Sequence, residues 1–175
     1  MRRHKLSSGS LFTFLLLSSV YCIAAQPRVA VLDFELKDLT PAPYIPAEIA
    51  RAAGVKPLLE QALAKSHYQI VHIDSSDIAK AAAGPGYLFD HHDLAAKLAR
   101  TVRADYIVVG RLHKPSYLFI YLMAHLVDVR QGKLIGDYIS EVKGGAPKLT
   151  LKGVESLAGK IVKTLSQHAD RSRNP

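Results

Sequence analysis

The residues best suited to chemistry lie together in Asp90–His91–His92–Asp93, with His67 and His72 a short distance upstream. Imidazole and carboxylate groups in one place could hold zinc or another divalent ion and activate a water for hydrolysis. The spacing argues against one shared ion. Neighbouring residues on a helix point about 100° apart, since a turn takes about 3.6 residues, and a helical ligand pair such as that of HExxH stands four apart. His91 and His92, with His72 as an outlying third, are therefore weak candidates, and the competing reading is a helix start with solvated histidines. Gly84–Pro85–Gly86, just upstream, could cradle an anion. It matches neither GxxxxGK[ST] nor GxGxxG, and Pro85 lacks the amide that would bind the anion, so a turn explains it better.

Acid–base chemistry has three further candidates: Asp33 after the first strand, Asp128 near a reversal and Glu141 in the last strand. Nothing in their spacing pairs them, and no GxSxG elbow offers a serine nucleophile. His125, in the middle of a long strand, reads as a half-buried, hydrogen-bonded histidine. No catalytic residue and no cofactor is expected from these patterns. The sequence instead points to a surface: the segment carrying Gly84, Gly86, Tyr87, His91 and His92, together with Phe119, Tyr121 and Met123.

The elements that must position these groups are clearer. Ala104–Lys143 reads as three successive strands, with reversals at Lys114–Pro115–Ser116 and Arg130–Gln131–Gly132. In the middle strand Leu118, Ile120, Leu122, Ala124 and Leu126 share one fully apolar face, which must meet the main core. Phe119, Tyr121, Met123, His125 and Val127 share the other, which is amphipathic and should be only partly covered. The third strand alternates loosely, as suits a position near an edge. Arg28–Phe34 (RVAVLDF) is a nearly continuous apolar run, the mark of a strand covered on both faces. Leu39–Pro46 carries three prolines and reads as an extended loop, with Pro46 placed to open a helix.

Residues 47–66 are helical in pattern, but Gly54 and Pro57 should split or kink that helix. Tyr68–Ile73 is a strand, and Asp74 or Ser75 can cap a short helix reaching about Ala82. Asp90 is expected to cap the next helix, with Asp93 completing a capping box and Phe89 and Leu94 forming a hydrophobic staple. A last helix spans about Thr150–Gln167. The order β-α-β-α-α-β-β-β-α predicts an α/β fold with a mixed sheet of about five strands.

The N-terminus predicts export. Arg2, Arg3, His4 and Lys5 precede the apolar run Leu11–Val20, and small residues follow at Ala24 and Ala25. This is the layout of a signal peptide over residues 1–25, cleaved after Ala25. The run falls short of the about 20 residues that a membrane span needs. Cys22 is the only cysteine of the 175 residues, so a chain beginning at Gln26 has neither a disulfide nor a thiolate. Cleavage also lowers the formal charge from +8 to +5 by removing Arg2, Arg3 and Lys5. The remaining basic residues are scattered and not interleaved with aromatics, which argues against a nucleic-acid partner. Residues 26–175 suit a single domain with no transmembrane segment.

Three segments carry a resemblance: RVAVLDFE at Arg28–Glu35, RADYIVVGRL at Arg103–Leu112 and LVDVRQGKLI at Leu126–Ile135. In order and spacing the chain resembles the α/β domain shared by the N-terminal part of TolB, the curli-secretion lipoprotein CsgG and the lipoprotein activators of penicillin-binding proteins. With GPGYLFDHHD and GRLHKPS it is also similar to small secreted bacterial proteins of a family without assigned function. It departs from the larger families in having Tyr21 where a lipobox has a small residue before the cysteine, and in having no room for a propeller or membrane-spanning insertions. The resemblance implies a periplasmic accessory or binding protein without enzymatic activity, held by an envelope protein or polymer, with outer-membrane association as one form of it. The alternatives are a small metal-dependent hydrolase using Asp90–Asp93 and a carrier of a small anion.

Overall fold

The structure, a computed structural model, describes residues 26–144 and 147–173. The expected signal peptide, its cleavage after Ala25 and Cys22 lie outside the described residues. The elements run β1 Arg28–Val31, β2 Glu35–Asp38, α1 Pro46–Lys65, β3 Gln69–Val71, α2 Ser75–Ala81, α3 Tyr87–Asp90, α4 His92–Arg100, β4 Tyr106–Lys114, β5 Phe119–Asp128, β6 Lys133–Lys143 and α5 Pro147–Arg173. The fold is α/β with a mixed sheet in the order β3-β1-β4-β5-β6; β2 also pairs with β4. β1, β2, β3 and β4 run parallel, and β4, β5 and β6 form the expected antiparallel meander.

The sheet has six strands, one more than the apolar pattern indicates. The extra one, β2, has the polar sequence ELKD. It becomes a strand because it continues along the edge of β4 that β1 began, pairing Glu35–Asp38 with Arg111–Lys114. β6 lies at the edge of the sheet, as its loose alternation requires.

Two cores flank the sheet. On one face β1, β4, β5 and β6 pack with α1 and α5, through side chains such as Leu59, Leu63, Leu122, Leu126, Leu157 and Ile161. Each fully buried aliphatic of this kind contributes about 1.5–3 kcal/mol relative to exposure. On the other face Ala30, Ile107, Val109 and Val127 meet the short α2–α4 segment through Leu88, Phe89, Ala95 and Ala99. The two faces of β5 divide as the alternation indicates. Ile120, Leu122, Ala124 and Leu126 are fully buried, while Phe119, Tyr121, Met123 and His125 are partly exposed. Leu118 is the exception; it precedes β5 and is exposed.

Two helix expectations are corrected. α1 is a single helix through Pro57. Pro57 removes the hydrogen bond to the Ala53 carbonyl, but both residues lie on the solvent side, where water can take that oxygen. The buried stripe of Ala52, Val55, Leu59 and Leu63 crosses the interruption and holds the helix together. The Asp90 capping box does not form either. Residues 87–90 make their own short turn, His91 is the residue that precedes α4, and no side chain caps it. Asp90 is drawn instead to Arg111 of β4, 3.2 Å away. Phe89 is buried against His125, and Leu94 packs against the same cluster.

Candidate functional site

The Gly84–His92 segment packs beside the carboxyl end of β1, where α1 leaves on one face of the sheet and the α2–α4 segment covers the other. Crevices at such places are common ligand sites in α/β folds. A cleft of about 280 Å³ opens here, lined by Asp33, Phe34, Glu35, Gly84, Gly86 and Tyr87 among others. Gly86 has φ 72°, a left-handed conformation natural to glycine. A side chain there would also collide with the Glu35 carboxylate. An acid against the glycine turn disfavours an anion in that turn.

A stack of rings and charges binds this segment to the sheet. The Arg111 guanidinium lies 4.3 Å from the centre of the Phe89 ring, and Phe89 stacks on His125 at 3.9 Å. Arg111 is held by Glu35 at 2.5 Å and by Asp90. Burial alone would lower its pKa, but these two carboxylates outweigh that and raise it, so the group stays a cation. His125 Nδ1 is 3.0 Å from the Phe89 carbonyl, which can only accept, so Nδ1 carries the proton. His92 Nε2 lies 2.8 Å from the same Nδ1 and accepts as well. On its far side His125 Nε2 faces Asp137 at 3.4 Å. His92 is held below its ordinary pKa, first by burial and then by the charge of His125.

This arrangement ties the Gly84–His92 segment to the sheet. His91 turns away from His92: its Nδ1 donates to the Tyr87 carbonyl at 2.8 Å, and its ring stacks on Tyr87. His72 is not brought to either; it meets Glu60 of α1 at 3.6 Å. No group of three His, Cys, Asp or Glu side chains that could hold a metal ion occurs among the described residues. The three separate carboxylates stay apart. Asp33 pairs with Lys56 at 3.4 Å and Glu141 with Lys143 at 3.3 Å. Asp128, buried at the far end of β5, accepts from the Gln131 amide at 2.7 Å and faces His168 at 3.1 Å.

The sheet's second face is covered over only part of its height. Cross-strand pairing puts Lys37, His113, Tyr121 and Glu141 in one row, and Glu35, Arg111, Met123 and Ile139 in the next. Helix α4 packs lower down, over Ile107, Val109 and Val127. The top row and the β6 end of the next stay open, with Ile139 50% exposed and Phe119 36%, while Glu35 and Arg111 lie against the Gly84–His92 segment. His113 stacks on Tyr121, with ring centres 6.4 Å apart. Phe119, Tyr121 and Met123 are thus joined to the Gly84–His92 segment through His125 on one continuous face.

A second cleft was not anticipated. It holds about 750 Å³ at the opposite end of the molecule and is lined by Arg100, Arg103, Arg130, Asp105, Asp128 and His168, among others. Arg103 has φ 55°, a left-handed conformation rare outside glycine. Its sequence signal was weak, because Arg100, Arg103 and Arg130 come from the end of α4 and the β5–β6 turn and converge only in the fold.

Comparison with solved structures supports the fold resemblance. Lipoprotein GNA1162 from Neisseria meningitidis matches with a TM-score of 0.52 at 13% identity, over 78% of this chain and 99% of that one. TolB from Acinetobacter baumannii matches with a TM-score of 0.52 at 15% identity, over 81% of this chain but 29% of TolB. A subunit of the PelC dodecamer from Paraburkholderia phytofirmans matches with a TM-score of 0.50 at 15% identity, over 81% of this chain and 90% of that one. At such identities the likeness is one of fold. Among curated proteins nothing matches. No helix among the described residues is long and apolar enough to cross a membrane. Residues 27–161 match the family model described as "Protein of unknown function (DUF2380)", and the chain belongs to that family.

Proposed function

We propose that the protein is a non-enzymatic binding component of the bacterial cell envelope, exported to the periplasm, that docks an envelope protein or polymer on the open half of its sheet. The observation that carries this reading is the uncovered face bearing Lys37, His113, Tyr121, Met123 and Ile139 beside the exposed Phe119. A folded domain gains by covering apolar area, and aromatic residues flanked by polar groups are favoured at interfaces. The stack of Arg111, Phe89 and His125 fixes the lower border of that face, so Gly84, Gly86, Tyr87, His91 and His92 form a ridge along it. The test is capture from envelope extracts at physiological salt, comparing the wild type with Tyr121→Asp/Ile139→Asp at equal melting temperature. One envelope component recovered by the wild type and lost with the double variant is expected. Equal recovery by both, or none by either, overturns the reading.

The convergence of Arg100, Arg103 and Arg130 favours a second reading, that of a small-anion carrier, and moves it from the glycine turn to the opposite cleft. Phosphate or a carboxylate at 100 times its dissociation constant would then stabilise the chain by about 2.7 kcal/mol. Loss of that stabilisation in Arg103→Ala is the expected control.

A further inference from the structure

The end of the molecule formed by the β2–α1 loop and the β4–β5 hairpin is unusually apolar for a loop surface. Leu39, Tyr44 and Ile45 are exposed on the first, Ile49 on the adjoining first turn of α1, and Tyr117 and Leu118 on the second, with Leu118 70% exposed. The two loops touch: the Leu39 amide donates to the Lys114 carbonyl at 2.9 Å, and Lys114 Nζ lies 5.4 Å from the centre of the Tyr117 ring. Beneath them Lys114, 3% exposed, sits between Glu48 at 3.2 Å and Asp38 at 3.7 Å. This buried ion cluster ties the start of α1 to the hairpin and fixes the six apolar side chains as one patch.

The charges around the patch indicate what covers it. Asp38 and Glu48 are buried and neutralised internally. Among the described residues, Lys37, Lys143 and Lys148 are exposed near the patch, beside the carboxylate Glu141, which Lys143 pairs. Lys143 stands directly across from Phe119, next to the hairpin tip. None of the six apolar residues lines either cleft described above. Apolar loop tips with tyrosines at their margin and lysines around them match the layering of an anionic bilayer surface, with acyl chains below, the interface at the tyrosines and phosphates at the lysines. The first described residue, Gln26, and β1 enter at the other end of the sheet from this patch.

We propose that this end of the protein docks peripherally on an anionic lipid surface, with Leu39, Ile45, Ile49 and Leu118 reaching the acyl boundary and Lys37, Lys143 and Lys148 meeting headgroup phosphates. The docking uses the upper rim of the open sheet face, at Lys37 and Lys143, and leaves Tyr121 and Ile139 free for a partner. The chain contains no tryptophan, which permits a site-specific test. Tyr117→Trp places a lone fluorophore in the patch; Leu134→Trp places one at the start of β6, about 30 Å away by strand length. Each is mixed with vesicles of phosphatidylglycerol and phosphatidylethanolamine, and with phosphatidylcholine vesicles for comparison.

The expected result is a blue shift and protection from quenching for Tyr117→Trp on the anionic vesicles alone, with Leu134→Trp unchanged. Adding Ile49→Asp and Leu118→Asp abolishes the shift. Lys37→Glu and Lys148→Glu each weaken binding by at least about fivefold, the value of one lysine near such a surface. Sedimentation with vesicles without a Tyr117→Trp shift would assign binding to another segment and overturn the proposal. So would equal shifts at both reporters, or a Tyr117→Trp shift that follows protein concentration without vesicles, which would assign the patch to a second copy of the chain.

Discussion

Replacing Lys114 with methionine removes the cation shared by two buried carboxylates, leaving Glu48 with Arg51 at 3.4 Å and Asp38 with no ion-pair partner among the described residues. Lys114 is 3% exposed, Asp38 4% and Glu48 6%, so neither acid can turn to bulk water without moving β2 or the first turn of α1. Breaking a buried pair by deleting one partner costs about 3–5 kcal/mol, mostly from the charge left behind. With a urea dependence of about 2 kcal/mol per molar, the denaturation midpoint of Lys114→Met falls by about 2 M at pH 7. Adding Asp38→Asn and Glu48→Gln removes those charges and should recover most of the loss.

The pH dependence carries its own sign. Burial opposes the charge on Asp38, but hydrogen bonds from the Thr40 hydroxyl and amide and the Tyr44 amide, with the Lys114 charge, outweigh it and hold the pKa below the ordinary value. The resulting stabilisation in the wild type is complete above the unfolded pKa of about 3.9 and is lost as pH falls through the lower folded value. In Lys114→Met the penalty should instead shrink on acidification, as the Asp38 carboxylate, left without its cation, takes up a proton. A midpoint within about 0.3 M of the wild type, or a triple variant no more stable than the single one, would refute the view that this cluster holds the two loops together.

Three other expectations follow from single contacts. A methyl group on Gly110 would run into the Phe34 ring, so Gly110→Ala should cost about 1–3 kcal/mol by overpacking, with Phe34→Leu returning part of it in chemical denaturation. Leu122, fully buried beneath α5, should lose about 2–5 kcal/mol on change to Ala. His92 has a lowered pKa, so the stability it confers is complete above about 6.5, the ordinary histidine value, and is lost as pH falls through that value toward the lower folded one. An NMR titration should place His92 below that value, and His92→Gln should flatten the stability profile between pH 7 and 5.

The meander was legible because β5 alternates so strictly that its two faces can be assigned residue by residue, from Ile120 to Val127. β2 was not legible, because ELKD has no apolar period and becomes a strand only where β4 offers an unpaired edge. The continuity of α1 depended on where Ala53 and Pro57 face, which a linear pattern carries weakly. Asp90 illustrates the limit for the site. Its local surroundings specify a helix cap, yet a partner 21 residues away, Arg111, takes it. The contacts between His92 and His125, and between Phe89 and His125, likewise join residues more than 30 positions apart. Gly84 to His92 and Phe119 to Met123 are separate stretches in the sequence, and the contacts of Phe89 and His92 with His125 bring them side by side.

The open half of the sheet is tested most directly by a photo-reactive amino acid placed at Tyr121, Ile139 or, as a control, Lys163 on α5, in cells that make the protein from its own gene. Cross-linking to the same envelope component from Tyr121 and Ile139, with none from Lys163, is the expected result. Equal cross-linking from all three positions, or from Lys163 alone, would contradict a binding surface on that face.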